Sequence, residues 1–591
     1  MKQIQKFWIK LKKMPKGYFL VILVIALALI SFSLPSFARF EHRNPLDFDT
    51  VWDGTVATSY RKGSGTFKDP YIISDGKELA YFAQKLNETH YKNTYFKLGN
   101  NIVLNKGTFA YSKETGLTYE EEGITYYVGE YNNELYTDIT RQTKASKSIQ
   151  ILPSLDDFEG SFDGASYTIY GAYVTSSTDE EVGLFTNLTG DISNLYVDNA
   201  AIYGGKITGG IASRALNSEF KSIQFDGIVV ETKETEPKVE NIPVSIGEIT
   251  LTDGIKDVVV PAIKNESTIG KITSITISGN LHKSNELSKV TLNNEEILEG
   301  DFTSNLPSLK DITFHIEGNP NDTIQFSNVE IHITSEYTVA GGIVGEADNI
   351  TLKNVINKSD VYGTLYTAGL LGKANQTISI ADAYNTGNIS SSSAAGLVSL
   401  IEKNLRDVQI LRSYNAGEIT GSESAGIIGT ATNNTGSILL NSVFDTSSAA
   451  YKIHTINEAP LNISNSYLVN GSTVLNGTTT GNFTATSLTN LQSETFLTSF
   501  WTYKDSATLK NSPNRVWVFE SGELPILYMD DLKNPIAEIH VGTYTWNTLG
   551  YGLDTIIFDQ ATAFSINEIS SIKPVKEIYY KISNSNEPLM Q

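Results

Sequence analysis

The chain contains no cysteine. That removes disulfides, thiolate metal ligands and thiol nucleophiles together, so the fold must be held by its core alone. Tryptophan (5) and methionine (4) are scarce, and tyrosine (30) and phenylalanine (25) carry the aromatic content. With abundant Thr, Ser, Asn and Gly, this balance favours strands and turns over helices. Charged residues are only 19% of the 591 and hydrophobic residues 40%, enough apolar content for a packed core and too little charge for a disordered chain. Basic residues are the minority, 45 against 66 acidic, for a net charge of −21. Phosphate neutralisation needs the opposite balance, so nucleic acid is not an expected partner. The sequence has no H-E-x-x-H, no G-x-S-x-G, no P-loop and no glycine-rich dinucleotide fingerprint behind a strand. Its seven histidines, His42, His90, His282, His315, His332, His454 and His540, show no metal-ligand spacing. No catalytic, cofactor-binding or metal residue is expected, and no cofactor.

What is present is a repeat. Gly followed by an aliphatic residue recurs at Gly183-Leu184, Gly210-Ile211, Gly342-Ile343, Gly369-Leu370, Gly396-Leu397 and Gly426-Ile427. The spacing is 27 residues three times and 30 once; the long gap from Gly210 to Gly342 is one period plus 105 residues. About ten residues after each glycine comes an alternating apolar-polar run ending near Asn or Asp, as in Leu352 to Asn357, Ile380 to Asn385, Leu411 to Asn415 and Leu440 to Asp445. Alternation with period two predicts strands buried on one face. A fixed period in the twenties predicts a solenoid, because one unit cannot bury its inner face alone and stacked units can. The expectation is an all-β chain, a right-handed parallel β-helix from Gly183 to about Asn470, with Leu184, Ile211, Ile343, Leu370, Leu397 and Ile427 in one interior row.

The steps Ala340-Gly-Gly-Ile-Val-Gly345 and Ala368-Gly-Leu-Leu-Gly372 resemble the GLUG motif of bacterial surface proteins. Such motifs occur in adhesins and in the N-terminal region of immunoglobulin-A-cleaving metalloproteases. The resemblance covers roughly residues 50 to 530 and implies architecture and a surface location, most readily in a Gram-positive bacterium. It implies no chemistry.

Other segments fit around this frame. Six lysines from Lys2 to Lys16 precede an apolar run, Tyr18 to Leu34, and Ser36-Phe37-Ala38 offers small residues for cleavage. Residues 1–38 read as a signal peptide or an N-terminal membrane anchor through residues 18–34, and either reading places the rest outside the cytoplasm. Residues 50–231 read as an N-terminal cap and first coils. In the cap, Ser74 to Asn87 reads as a helix capped by Ser74 with Leu79, Phe82, Ala83 and Leu86 on one face. Residues 106–150, carrying Glu120, Glu121 and Glu122, read as a long loop. Residues 232–337, with Pro237, Pro243, Pro261, Pro307 and Pro320 and no glycine step, read as an inserted β-sandwich-like module. Residues 338–530 read as further coils and a terminal cap in which Trp501 and Trp517 cover the last coil. Residues 536–591 read as the start of an Ig-like module.

Two groups of carboxylates merit a trial as catalysts, because parallel β-helices can cleave acidic polysaccharides with paired acids. One is Asp156, Asp157, Glu159 and Asp163. The other is the recurring set Asp198, Asp226, Asn357, Asn385, Asn415 and Asp445, which stacking at corners explains without chemistry. His315 and His332 read as ordinary strand-face histidines rather than a shared metal site. The expected role is that of a non-enzymatic adhesin or spacer that binds a host or cell-surface glycan or protein. A polysaccharide-acting enzyme and the exosite part of a surface protease stand as the alternatives.

Overall fold

The computed structural model describes residues 46–527 apart from 87, 233–237, 261–270, 307–311, 403–406, 433–435, 458–459, 502–515 and 520–521, and beyond these a few short strands up to Leu589–Met590. The N-terminal leader lies outside the described residues. Among the described residues no helix is long and apolar enough to cross a membrane.

The chain is all-β and built on two long parallel sheets, of eighteen and twelve strands among the described residues. Each repeat contributes to both. In the first sheet Phe96, Phe162, Ile192, Phe220, Leu352, Ile380, Ile410, Leu440 and Ile463 fall in one register. In the second, Ala212, Val344, Leu371, Val398, Ile428, Ile453 and Val474 do the same. Both rows belong to a single core. The glycine-linked aliphatic residues stand between them, fully buried, and their backbones connect directly: Ile211 N–H to Ile343 O (2.9 Å), Ile343 to Leu370 (3.2 Å), Leu370 to Leu397 (3.3 Å) and Leu397 to Ile427 (3.1 Å).

Pairing begins with Tyr71–Ile73 against Tyr95–Leu98. The capping helix, α1 (Gly76–Leu86), lays Phe82 on Phe96 (centroids 4.5 Å), Phe158 (5.4 Å) and Phe162 (5.9 Å). Its cap is Asp75 rather than Ser74: Asp75 Oδ1 accepts from the Glu78 N–H (3.0 Å), and the Glu78 carboxylate reaches back to the N–H of Ser74, one residue before the cap (2.8 Å). Glu78 is buried and also holds Arg61 Nε at 2.8 Å.

Residues 106–150 are not a loop. They form a five-stranded antiparallel sheet, Thr108–Ser112, Gly116–Glu121, Ile124–Val128, Glu134–Tyr136 and Lys144–Ser148. Phe109, Leu117, Tyr119, Tyr126, Val128 and Leu135 bury one face of it on Tyr173, Ala201, Tyr203, Ile228 and Val230, on the outside of the early repeats. The turn at Glu122-Gly123 has positive φ at both residues (55° and 76°), as a two-residue hairpin of right-handed strands requires. Asn199 ties the sheet down through the Phe109 N–H (3.0 Å) and the Gly107 carbonyl (2.5 Å).

Between Lys238 and Glu336 the pairing becomes antiparallel. A five-stranded and a four-stranded sheet share a second core of Leu251, Ile277, Val290, Leu292, Phe314, Ile316, Ile324, Ile331 and Ile333. The parallel stack closes around this segment, since Ile207, Thr208 and Gly209 pair directly with Val339, Ala340 and Gly341.

After the last repeats come two short helices, α2 (Leu488–Leu491) and α3 (Glu494–Phe500), and a hairpin of Trp517–Val518 with Ile526–Leu527. Trp501 and Trp517 stack on each other at 4.5 Å. They do not close the end of the stack. Trp517 lies on Tyr384 and Tyr414, both at 6.1 Å, and Trp501 on Phe444 at 5.7 Å, so they cover the side of the first sheet several repeats back. Separately, Ala537–Val541 pairs antiparallel with Tyr544–Thr548 and Ile566–Ser571.

Candidate functional site

The polar residues that recur with the repeat meet inside the stack. Asn357, Asn385, Asn415 and Asp445 are each fully buried and in register. Their side chains form a ladder: Asn357 Nδ2 donates to Asn385 Oδ1 (2.7 Å), Asn385 Nδ2 to Asn415 Oδ1 (2.8 Å) and Asn415 Nδ2 to Asp445 Oδ1 (2.8 Å). Each Nδ2 also donates to the carbonyl two residues on, of Ser359, Gly387 or Gly417 (3.1, 2.9 and 3.1 Å). The donors all run one way, and the last rung is a carboxylate, which only accepts. Asp445 takes Asn415 on one oxygen, and Ser447 Oγ (2.9 Å) and Lys452 Nζ on the other. Both Lys452 and Asp445 side chains are fully buried.

The ladder explains the repeated glycine. A Cβ on Gly342, Gly369, Gly396 or Gly426 would lie 2.3–2.5 Å from the side chain of Asn357, Asn385, Asn415 or Asp445 respectively. The glycine and the Asn or Asp fifteen to nineteen residues later are one contact, which the sequence displays as two unrelated marks. Asp198 and Asp226 are not in the ladder. The register places Val197 and Phe225 in its column, and the two aspartates, one residue on, are half-buried outside it.

On the opposite face of the same strands an aromatic column runs beside the ladder. Tyr384 and Tyr414 stack at 4.9 Å and 7°, Tyr414 and Phe444 at 4.6 Å and 4°. Asp382 binds Arg412 through two bonds of 2.8 Å and accepts from Trp517 Nε1 at 3.0 Å, while Tyr414 OH donates to Pro525 O at 2.8 Å.

The second sheet carries an ion cluster that sequence reasoning missed. Arg214, Glu346 and Lys373 are consecutive in register. Glu346 holds Arg214 Nη1 at 2.8 Å, Lys373 Nζ at 3.4 Å and Asn375 Nδ2 at 2.8 Å, and accepts from Tyr337 OH at 2.8 Å. Burial pushes the Glu346 carboxyl up, but Lys373 and Arg214 outweigh it and hold it below the usual range. Tyr337 closes the cluster directly after the inserted segment and lies under Lys373 at 4.8 Å. Aligning Gly345-Glu346-Ala347 with Gly372-Lys373-Ala374 is the one signal that marks the pair in the sequence.

The opening acids are dispersed. Asp163 accepts from Asn194 Nδ2 (2.9 Å) and the Ala165 N–H (2.8 Å), with Lys97 Nζ at 3.8 Å. Glu159 lies 3.6 Å from Lys92 and Asp157 3.9 Å from His90. Burial, then Asp157 beside it, raises the Asp156 carboxyl above its ordinary value. Each of the three acids bonded here has its own basic or amide partner, and no shared arrangement unites them. His315 bonds Asp257 and Glu317, His332 bonds Ser278 and Asn241, and the two sit in different sheets of the inserted segment. Among the described residues no group of three or more metal-ligating side chains converges.

No family model, no curated protein and no solved structure matches this chain.

Proposed function

We propose that the two parallel sheets wind as a right-handed parallel β-helix of the GLUG type, that residues 40 to 591 lie outside the cytoplasm at a bacterial surface, and that the protein is a non-catalytic adhesin or display scaffold. The handedness follows the general rule for parallel crossovers. At about 4.8 Å per coil, the seven coils in register from Ile192 to Ile463 make roughly 30 Å of rod.

The observation that carries this reading is the way the segment Lys238–Glu336 is attached. It leaves and rejoins between two repeats that pair with each other directly, so it projects without interrupting the stack. It has its own core and presents Val239, Ile255, Val259, Leu287 and Leu298 more than half exposed. Of the periodic polar residues, Asn357, Asn385, Asn415 and Asp445 are, by contrast, consumed by the ladder. A rigid rod with a projecting module suits binding through exposed side chains on a fixed support, and a host or cell-surface glycan or protein is the partner class this favours.

The test incubates the purified chain with a panel of polysaccharides and surface proteins, measuring retention and product together. Retention that falls at least tenfold when Ile255, Val259, Leu287 and Leu298 are replaced by Ser supports the reading. Turnover that disappears in the Asp157→Ala, Asp163→Ala double variant overturns it in favour of the polysaccharide-acting enzyme.

A further inference from the structure

Lys452 and Asp445 form the most thoroughly enclosed ion pair among the described residues, both side chains at 0% exposure. Two charges withdrawn from water cost several kcal/mol each, and their attraction repays this only with good geometry. The geometry here is directed at one atom. Lys452 Nζ rests on Asp445 Oδ2 and is held from behind by the Ala449 carbonyl at 2.9 Å. Asp445 Oδ1 accepts from Asn415 Nδ2 at 2.8 Å and Oδ2 from Ser447 Oγ at 2.9 Å. An amine is thus fixed beside a carboxyl whose other oxygen faces a hydrogen-bond donor. These are the parts an acyl transfer needs: a nitrogen held against the carboxyl group and a donor where negative charge develops.

We propose that Lys452 and Asp445 are a site of self-catalysed isopeptide formation. A proton passes from the Lys452 ammonium to Asp445 Oδ2, leaving a neutral amine beside a carboxylic acid. The Nζ lone pair attacks Asp445 Cγ, and the carbonyl electrons move onto Oδ1, where the Asn415 amide donates to them. Oδ2 departs as water, carrying its own proton and one taken from Nζ. The Cγ–Nζ amide forms, one Cγ–O bond breaks, nothing is oxidised or reduced, and no co-reactant is consumed. An open cavity lies close to the site. A cavity of about 410 Å³ is lined by Leu468, Gly471, Val474 and Phe483, and Gly471 lies directly against the Ala449 and Ala450 carbonyls. The bond would give a cysteine-free chain a covalent clamp where the ladder ends.

Peptide mapping of the full-length protein tests this. Lys452 is the single tryptic position between Arg412 and Lys504. The unlinked chain yields Ser413–Lys452 and Ile453–Lys504. The linked chain resists cleavage at Lys452 and yields Ser413–Lys504 lighter by one water, with fragment ions joining Asp445 to Lys452. Lys452→Met abolishes the water loss, and since the native chain alone decides the question, misfolding of that variant does not protect the proposal. Complete cleavage at Lys452 with unaltered mass overturns it. So does a water loss that leaves Lys452 cleavable and is reversed by hydroxylamine, which marks an aspartyl succinimide. An uncleaved peptide lighter by one ammonia overturns the assignment to Asp445, because the acyl donor is then Asn415.

Discussion

Asn385→Asp changes one atom type and reverses a rung of the ladder. Asn385 donates to Gly387 O (2.9 Å) and Asn415 Oδ1 (2.8 Å) and accepts from Asn357 (2.7 Å). A carboxylate keeps the accepted bond and loses both donations, so two buried acceptors go unsatisfied at about 1–3 kcal/mol each, roughly 2–6 kcal/mol together. Turning the Asn415 amide to help would cost its bonds to Gly417 O and Asp445 Oδ1, and Asp445 cannot donate in return. The strain has no relaxed solution down the column. The pH dependence has a definite sign. In its acid form the new carboxyl can donate one bond, so its folded pKa rises above the unfolded value of about 3.9. Below that value both states are protonated and the penalty is smallest; it grows as pH rises through the folded pKa. Guanidinium unfolding followed by far-UV circular dichroism should therefore show a larger loss of stability at pH 7 than at pH 4. Asn385→Ala, lacking the titration, should show the same loss at both. A variant as stable as the native chain at pH 7, or equally destabilised at both pH values, would refute the ladder as drawn.

Gly369→Ala places a methyl 2.3 Å from Asn385 Cγ and 2.4 Å from Gly396 O; overpacking of this kind costs about 1–3 kcal/mol and more where backbone must move, read as a lowered unfolding midpoint. Trp517→Ala should release the C-terminal hairpin, so that amide exchange rises selectively in Ile378–Asn385 and Val408–Asn415, the strands carrying Tyr384 and Tyr414. Glu346 has a depressed folded pKa, so its contribution is present above an unfolded value of about 4.3 and fades as pH falls through the folded one. Glu346→Gln should destabilise the chain at pH 7 by about 3–5 kcal/mol, since Lys373 and Arg214 lose the buried carboxylate they share, and should flatten the acid limb of a stability-against-pH curve. Replacing residues 238–336 by a short Gly/Ser linker should leave the parallel stack folded, with the amide-exchange protection of Ile207–Leu216 and Val344–Asp348 retained.

The glycine step and the amide column were both legible, because each repeats with the period of the stack. Their contact was not, since nothing in a linear pattern says which face a side chain fifteen to nineteen residues on will meet. The exclusion of Asp198 and Asp226 has a geometric cause. In each repeat a residue in the left-handed region lies three before the ladder position: Asn194, Ser222, Asn354, Asp382, Arg412 and Ser442, with φ between 46° and 61°. Counting three from these gives Val197, Phe225, Asn357, Asn385, Asn415 and Asp445. The backbone kink sets the register, but its residue type varies from Asn to Arg, so the type of the final residue was the available mark and it misled by one position. The sheet at 108–148 was obscured in a different way. Its apolar residues alternate within a polar background, and Glu120 to Glu122 draw attention to a turn that faces solvent.

The two coverings of the stack bear on where a partner can reach it. Outward-facing aromatic residues of the early repeats, Tyr173 and Tyr203, lie beneath the sheet at 108–148, and Tyr362 packs at the margin of that cluster. In the column that holds Tyr203, Val230 and Tyr362 the next residues are Ser390 and Thr420, so the aromatic character stops where the cover stops. The later column of Tyr384, Tyr414 and Phe444 lies beneath Trp501 and Trp517. In both places the chain outside the repeats supplies the cover for the apolar surface that the repeats turn outward. These tyrosines are thereby accounted for by internal packing. A binding surface rich in tyrosine would have to be sought elsewhere. The exposed apolar residues of the inserted segment have no such cover among the described residues, and it is there that substitutions should separate binding from stability.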